Sequence, residues 1–206
     1  MTGQLTSGSF RHPIGDDLDV SNSGKPKTVE RYGRTWQLGD GNTVSWINRE
    51  TPGGLAITSA IPPRFAAYAT IAHMEDFTSP EDLAASQERV VDVLRRHGST
   101  EWWLGYLDTG SDDVVFPGAR KMKLYAGWPY VIVKAGPDQA LTWRETLPDL
   151  AFPDDRTWCL STLWDDSWTC LGGSDGLINQ LASDPHIELR RVELGDDATP
   201  PGHIAM

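Results

Sequence analysis

Nine tryptophans constrain this chain more than any other feature: Trp36, Trp46, Trp102, Trp103, Trp128, Trp143, Trp158, Trp164 and Trp168. A packed aromatic side chain buries on the order of 150–250 Å², so nine of them demand either a large apolar interior or an aromatic surface built for a partner. Tryptophan serves both uses, in cores and at the hot spots of interfaces. At 206 residues the chain is long enough to bury one sizeable core.

The apolar runs are short and separated by turn residues, which points to strands joined as hairpins. Segments 34–38 and 43–47 flank Gly39-Asp40-Gly41-Asn42, and Asp-Gly between alternating runs is a strong signal for a tight hairpin turn. A third strand is expected over 55–59, stopped by Pro62-Pro63. Residues 64–73 read as an irregular lead-in to another short strand. Ser79-Pro80-Glu81-Asp82 starts a helix: serine caps free amides, proline fits the first turn and the acids favour the positive dipole end. Leu83, Val90, Val91 and Leu94 give that helix one apolar stripe, and Gly98 ends it.

Further strands are expected over 102–107, 113–116, 122–126 and 130–133, then a second helix over 137–145. Segments 157–163 and 168–171 form a hairpin with Leu163 opposite Trp168 and Ser161 opposite Cys170. Ser174 caps a third helix over 176–182, and a last strand covers 187–194. No βαβ spacing recurs. The expected fold is therefore α+β: a single domain over 29–195, a twisted, largely antiparallel sheet packed by two to three helices. A flexible arm over 1–28 precedes it and a polar tail over 196–206 follows.

The net charge of −11 bears on partners. A nucleic-acid backbone calls for clustered Lys and Arg, whereas the densest basic spots are Arg95-Arg96, Arg120 to Lys123 and Arg190-Arg191. No apolar run approaches the roughly 20 residues of a membrane span. The opening residues lack the pattern of a secretory signal, and two cysteines are too few for a disulfide framework. A cytoplasmic protein that avoids nucleic acid and membranes and attracts basic partners is expected.

Catalytic patterns are incomplete. His73-Met74-Glu75 matches half of a zinc deaminase signature, but the P-C-x-x-C half is absent. Gly172-Gly173-Ser174-Asp175-Gly176 opens a helix without the lysine of a P-loop. The histidines are scattered, so no metal or cofactor is expected. Acids and tryptophans are numerous enough for a carbohydrate hydrolase with paired carboxylates, yet no spacing selects a pair. What remains is a surface. Asp108 to Asp112-Asp113 and Asp165-Asp166 are acidic turns at strand ends, flanked by aromatics. The candidate binding residues are Trp102, Asp108, Asp112, Asp113, Trp128, Trp164, Asp165 and Asp166. Together they would offer an acidic aromatic face to a Lys- or Arg-rich protein partner.

Ala60-Ile-Pro-Pro-Arg-Phe-Ala-Ala-Tyr68 ahead of a sheet, with Trp102-Trp103-Leu104-Gly105 after a helix, resembles SUKH-type immunity proteins over about residues 55 to 110. That resemblance implies an α+β core and a non-enzymatic role in neutralising a toxin. The segments WWLGYLDTG, GWPYVIVKAGP and STLWDDSWTC depart from that group and resemble a family of actinobacterial proteins instead.

Overall fold

The computed structural model describes residues 27–73, 79–110, 114–163 and 166–204. Among them ten strands form one antiparallel sheet. They are β1 (Thr28–Arg31), β2 (Arg34–Leu38), β3 (Ala67–Ala72), β4 (Trp102–Leu107), β5 (Met122–Leu124), β6 (Trp128–Ala135), β7 (Leu150–Pro153), β8 (Cys159–Ser161), β9 (Trp168–Gly173) and β10 (Leu189–Val192). The order across the sheet is β1-β2-β6-β4-β7-β8-β9-β3-β10, with β5 also paired to β6. Four helices accompany it: α1 (Gly41–Glu50), α2 (Pro80–Leu94), α3 (Pro137–Ala140) and α4 (Asp175–Ala182). This is a single α+β domain, as the hairpin pattern predicts.

Both faces of the sheet are covered. In β4, Trp102, Leu104 and Tyr106 point into one core, shared with Val90, Leu94, Leu177 and Leu181 of α2 and α4. Trp103 points into the other, shared with Val44, Trp46 and Ile47 of α1 and with Ile57 and Ile61. The same alternation places Val131 and Val133 of β6 in the first core and Tyr130 and Ile132 in the second. Double coverage explains why the central strands read as continuous apolar runs rather than as alternating ones. Close packing also explains Gly105: a Cβ there would lie 2.9 Å from Leu150 Cβ and 3.0 Å from Ile132 Cδ1.

The structure corrects the reading of 39–59. Asp40-Gly41 is not a hairpin turn but the start of α1. The Asp40 side chain accepts from the amides of Asn42 and Thr43, and the Thr43 hydroxyl meets the Asp40 amide in return, a reciprocal cap. Val44 and Ile47, three apart, fit a helical stripe as well as a strand alternation, and the cap decides between them. Residues 57–59 form a single 3-10 turn rather than a strand. Residues 114–116 are not a strand either; Phe116 is buried in the core, at the start of a turn closed by Ala119 N–H donating to its carbonyl. The second helix stops at Ala140, earlier than expected, and β7 was not anticipated at all.

The hairpin β8–β9 has the expected register. Ser161 pairs with Cys170, Leu160 with Leu171 and Cys159 with Gly172. The helix α2 starts as expected at Ser79, whose hydroxyl accepts from Asp82 N–H. No helix among the described residues is long and apolar enough to cross a membrane.

Candidate functional site

A cleft of about 470 Å³ opens on the α1 side of the sheet, within the size range of ligand sites. Its walls come from four places. The β5–β6 turn brings Tyr125 and Trp128, and Tyr130 follows on β6. The β8–β9 connection brings Leu163 and Asp166, and β9 brings Trp168 and Cys170. The segment after α1, from Thr51 to Leu55, forms the rim. Ala198 and Thr199 close the cleft from the C-terminal side.

Local backbone chemistry sets each wall. The β5–β6 turn needs left-handed residues at Tyr125 (φ 47) and Gly127 (φ 97), which rotates the tyrosine inward. Its hydroxyl donates to the Ala60 carbonyl at 3.2 Å and meets Ser161 Oγ at 2.7 Å. Burial, with Cys159 and Tyr130 nearby, pushes the phenol well above its ordinary pKa, so it stays protonated. The region expected as a polar tail folds back: Ala198 N–H donates to the Leu55 carbonyl at 2.9 Å, and Ala198 is buried. Pro200-Pro201-Gly202-His203 is then closed by His203 N–H donating to Pro200 O, with Gly202 at φ 87, the combination a type II turn calls for. That turn seats the His203 ring edge-on to Trp168, 5.9 Å between centroids, and places its Nδ1 2.5 Å from Ser167 Oγ.

The candidate residues divide sharply. Trp128 and Asp166 line this cleft together, each half-buried. Trp102 does not reach a surface: it is 1% exposed and packs edge-on to Trp158 at 4.8 Å. Asp108 is also interior, 4% exposed, bound to Lys121 Nζ at 2.9 Å and accepting from Gly110 N–H at 3.1 Å. A buried carboxylate must be paired, and this pairing makes it a structural ion pair instead of part of an acidic face. Asp112, Asp113, Trp164 and Asp165 lie outside the described residues.

The two cysteines lie where the nucleophilic thiolate form is disfavoured. Both are free and buried. Burial first, then the negative charge of Asp166, pushes the Cys170 thiol up to about 12, and burial raises Cys159 as well. Among the described residues the cleft carries one carboxylate, Asp166, so the paired acids of a carbohydrate hydrolase are not assembled there. Trp168 lines the cleft while its indole N–H, directed toward the Cys170 sulfur, has no oxygen or nitrogen partner. The sequence reading missed Tyr125, Tyr130 and Leu55 as cleft residues; the Tyr-Ala-Gly-Trp turn was the one local signal for the first. No family model matches the chain, and the searches of curated proteins and of solved structures found no match either.

Proposed function

We propose that this is a cytoplasmic, non-enzymatic binding protein whose cleft receives a Lys or Arg side chain of a basic protein partner. The observation that carries the reading is a cleft with aromatic walls, Tyr125, Trp128, Tyr130 and Trp168, and, among the described residues, a single carboxylate, Asp166. Aromatic faces attract a desolvated cation by about 0.5–2 kcal/mol each, and a carboxylate beside them supplies the counter-charge. The net charge of −11 steers a basic partner toward the molecule. Leu55, at the rim, is 58% exposed, which extends the apolar surface outward and favours a macromolecule over a small cation. An immunity or inhibitor role against a basic toxin, as the SUKH resemblance implies, fits this chemistry.

The test is a titration with a nona-arginine peptide followed by tryptophan fluorescence, beside a parallel titration with tetramethylammonium. Saturable binding of the peptide that weakens with salt is expected, and Asp166→Asn and Trp128→Ala should each weaken it about five- to thirtyfold. Undiminished binding in both variants would remove the cleft from the interaction. Tetramethylammonium binding as tightly as the peptide would reassign the cleft to a small cation.

A further inference from the structure

Trp46 sits on α1, 1% exposed, with its ring edge-on to Phe152 at 5.3 Å. Two guanidinium groups meet the same ring: Arg64 at 5.3 Å and Arg156 at 5.4 Å from its centroid. Each is projected from a tight turn. Arg64 N–H donates to the Pro62 carbonyl at 2.8 Å, just after the rigid Pro62-Pro63 pair. Arg156 N–H donates to the Pro153 carbonyl at 2.9 Å in the β7–β8 connection. There Arg156 holds φ 56, a left-handed conformation that favours glycine or asparagine. A long cationic residue at that position is an outlier that asks for a reason.

The charge around the ring is unbalanced. In this acidic chain, Arg89, Arg95, Lys121, Lys134, Arg144 and Arg191 each hold a carboxylate. Arg64 and Arg156 hold none among the described residues. The acids flanking Arg156 make their hydrogen bonds elsewhere, although Asp154 feels the Arg156 charge: Asp154 accepts from Trp103 Nε1 at 2.9 Å and Lys134 at 3.3 Å, and Asp155 Oδ1 accepts from the amide and hydroxyl of Thr157. The Trp46 indole N–H is buried and also lacks a partner. Two guanidinium groups on exposed side chains therefore meet one ring without an ion-paired carboxylate among the described residues, and the buried indole N–H of that ring has no partner.

We propose that Arg64 and Arg156 form a binding site for a phosphate group on the α1 side of the molecule. Two guanidinium groups match a dianion, and each presents a rigid fork of donors suited to tetrahedral phosphate oxygens. Turn-fixed arginines stacked on an aromatic ring lose little freedom when the anion arrives. The site does not depend on the cleft reading, because no cleft residue contributes to it.

The experiment is a nuclear magnetic resonance titration of the full chain, at ionic strength held constant with chloride, read at the Trp46 indole and arginine Nε–H signals. Inorganic phosphate and O-phosphoserine are the probes, and acetate is the monoanion control. Saturable shifts are expected for phosphate, with acetate about tenfold weaker or more. Arg64→Gln and Arg156→Gly should each weaken phosphate at least about fivefold. Glycine suits the positive φ, so Arg156→Gly should keep the fold, checked by its melting curve. Tighter binding of phosphoserine than of inorganic phosphate assigns the site to phosphate esters, and the reverse assigns it to the free ion. No saturable shift, equal binding of acetate, or undiminished binding in both variants overturns the proposal.

Discussion

Gly172 of β9 is fixed by its neighbours rather than by its own dihedrals. A Cβ there would stand 2.5 Å from Phe65 Cδ2 and 2.6 Å from Ile61 Cγ2. Ile61 is fully buried and has no room to retreat. Gly172→Ala should therefore cost about 1–3 kcal/mol by overpacking, measured by urea denaturation. His73 acts at the same scale. It is bound through Nε2 to Thr169 Oγ1 at 2.8 Å, and burial, with His203 nearby, lowers its pKa from the ordinary 6.5 to about 4. The unfolded chain then takes up a proton that the folded protein refuses between those values, so stability falls as pH drops from 6.5 toward 4. The full loss from this group is on the order of 3 kcal/mol. Denaturation curves at pH 7 and pH 4.5 should show a smaller difference for His73→Gln than for the wild-type protein; an equal difference would rule His73 out as the acid-sensitive group.

At the level of elements, the start of α1 illustrates how one side chain settles a choice. Asp40-Gly41 serves a hairpin or a helix, and both flanks tolerate either period. Two amides accepted by the Asp40 carboxylate, with Thr43 closing the loop, stabilise the helical outcome. Removing the cap with Asp40→Ala should cost about 1 kcal/mol, seen as a lowered melting temperature, while Asp40→Asn should cost less. The β8–β9 register was readable because its turn length fixes which residues face each other. The helix at Ser79 was readable because serine, proline and acids all agree at its start. β7 was not, since Leu150-Ala-Phe-Pro153 is too short to show a period and is defined by pairing with β4 and β8 on either side.

For the molecule as a whole, burial on both faces of the sheet makes the interior inaccessible. Cys159 and Cys170 lie opposite Gly172 and Ser161 in the second core, fully or nearly fully buried. Cys170 borders the cleft, so Cys159 is the reporter: in a Cys170→Ala variant its labelling by a thiol reagent such as Ellman's reagent should proceed at the rate of global unfolding and rise in step with urea-induced denaturation. Fast labelling of Cys159 in that folded variant would show that the α1 layer opens on its own. The same layer carries both the aromatic cleft and the arginine pair, so opening it should impair both sites together.

From the sequence alone came the class of fold, the hairpin of the cysteines, the helices capped by Ser79 and Ser174, and the excess of negative charge. These depend on short-range signals: caps, turn residues and period. Tertiary structure decided which aromatics and acids are usable. Trp102 and Trp128 look alike in sequence, each beside a polar turn, yet one is enclosed in the core shared with α2 and α4 and the other borders a cleft. Asp108 looks like a solvated turn residue and is a buried partner of Lys121, thirteen positions away. Tyr125, Asp166 and Ala198 come together only because β6, β9 and the returning C-terminal segment meet on one side of the sheet. Burial is set by which strands and helices cover a residue, and that covering is made by contacts too distant along the chain for local pattern to register.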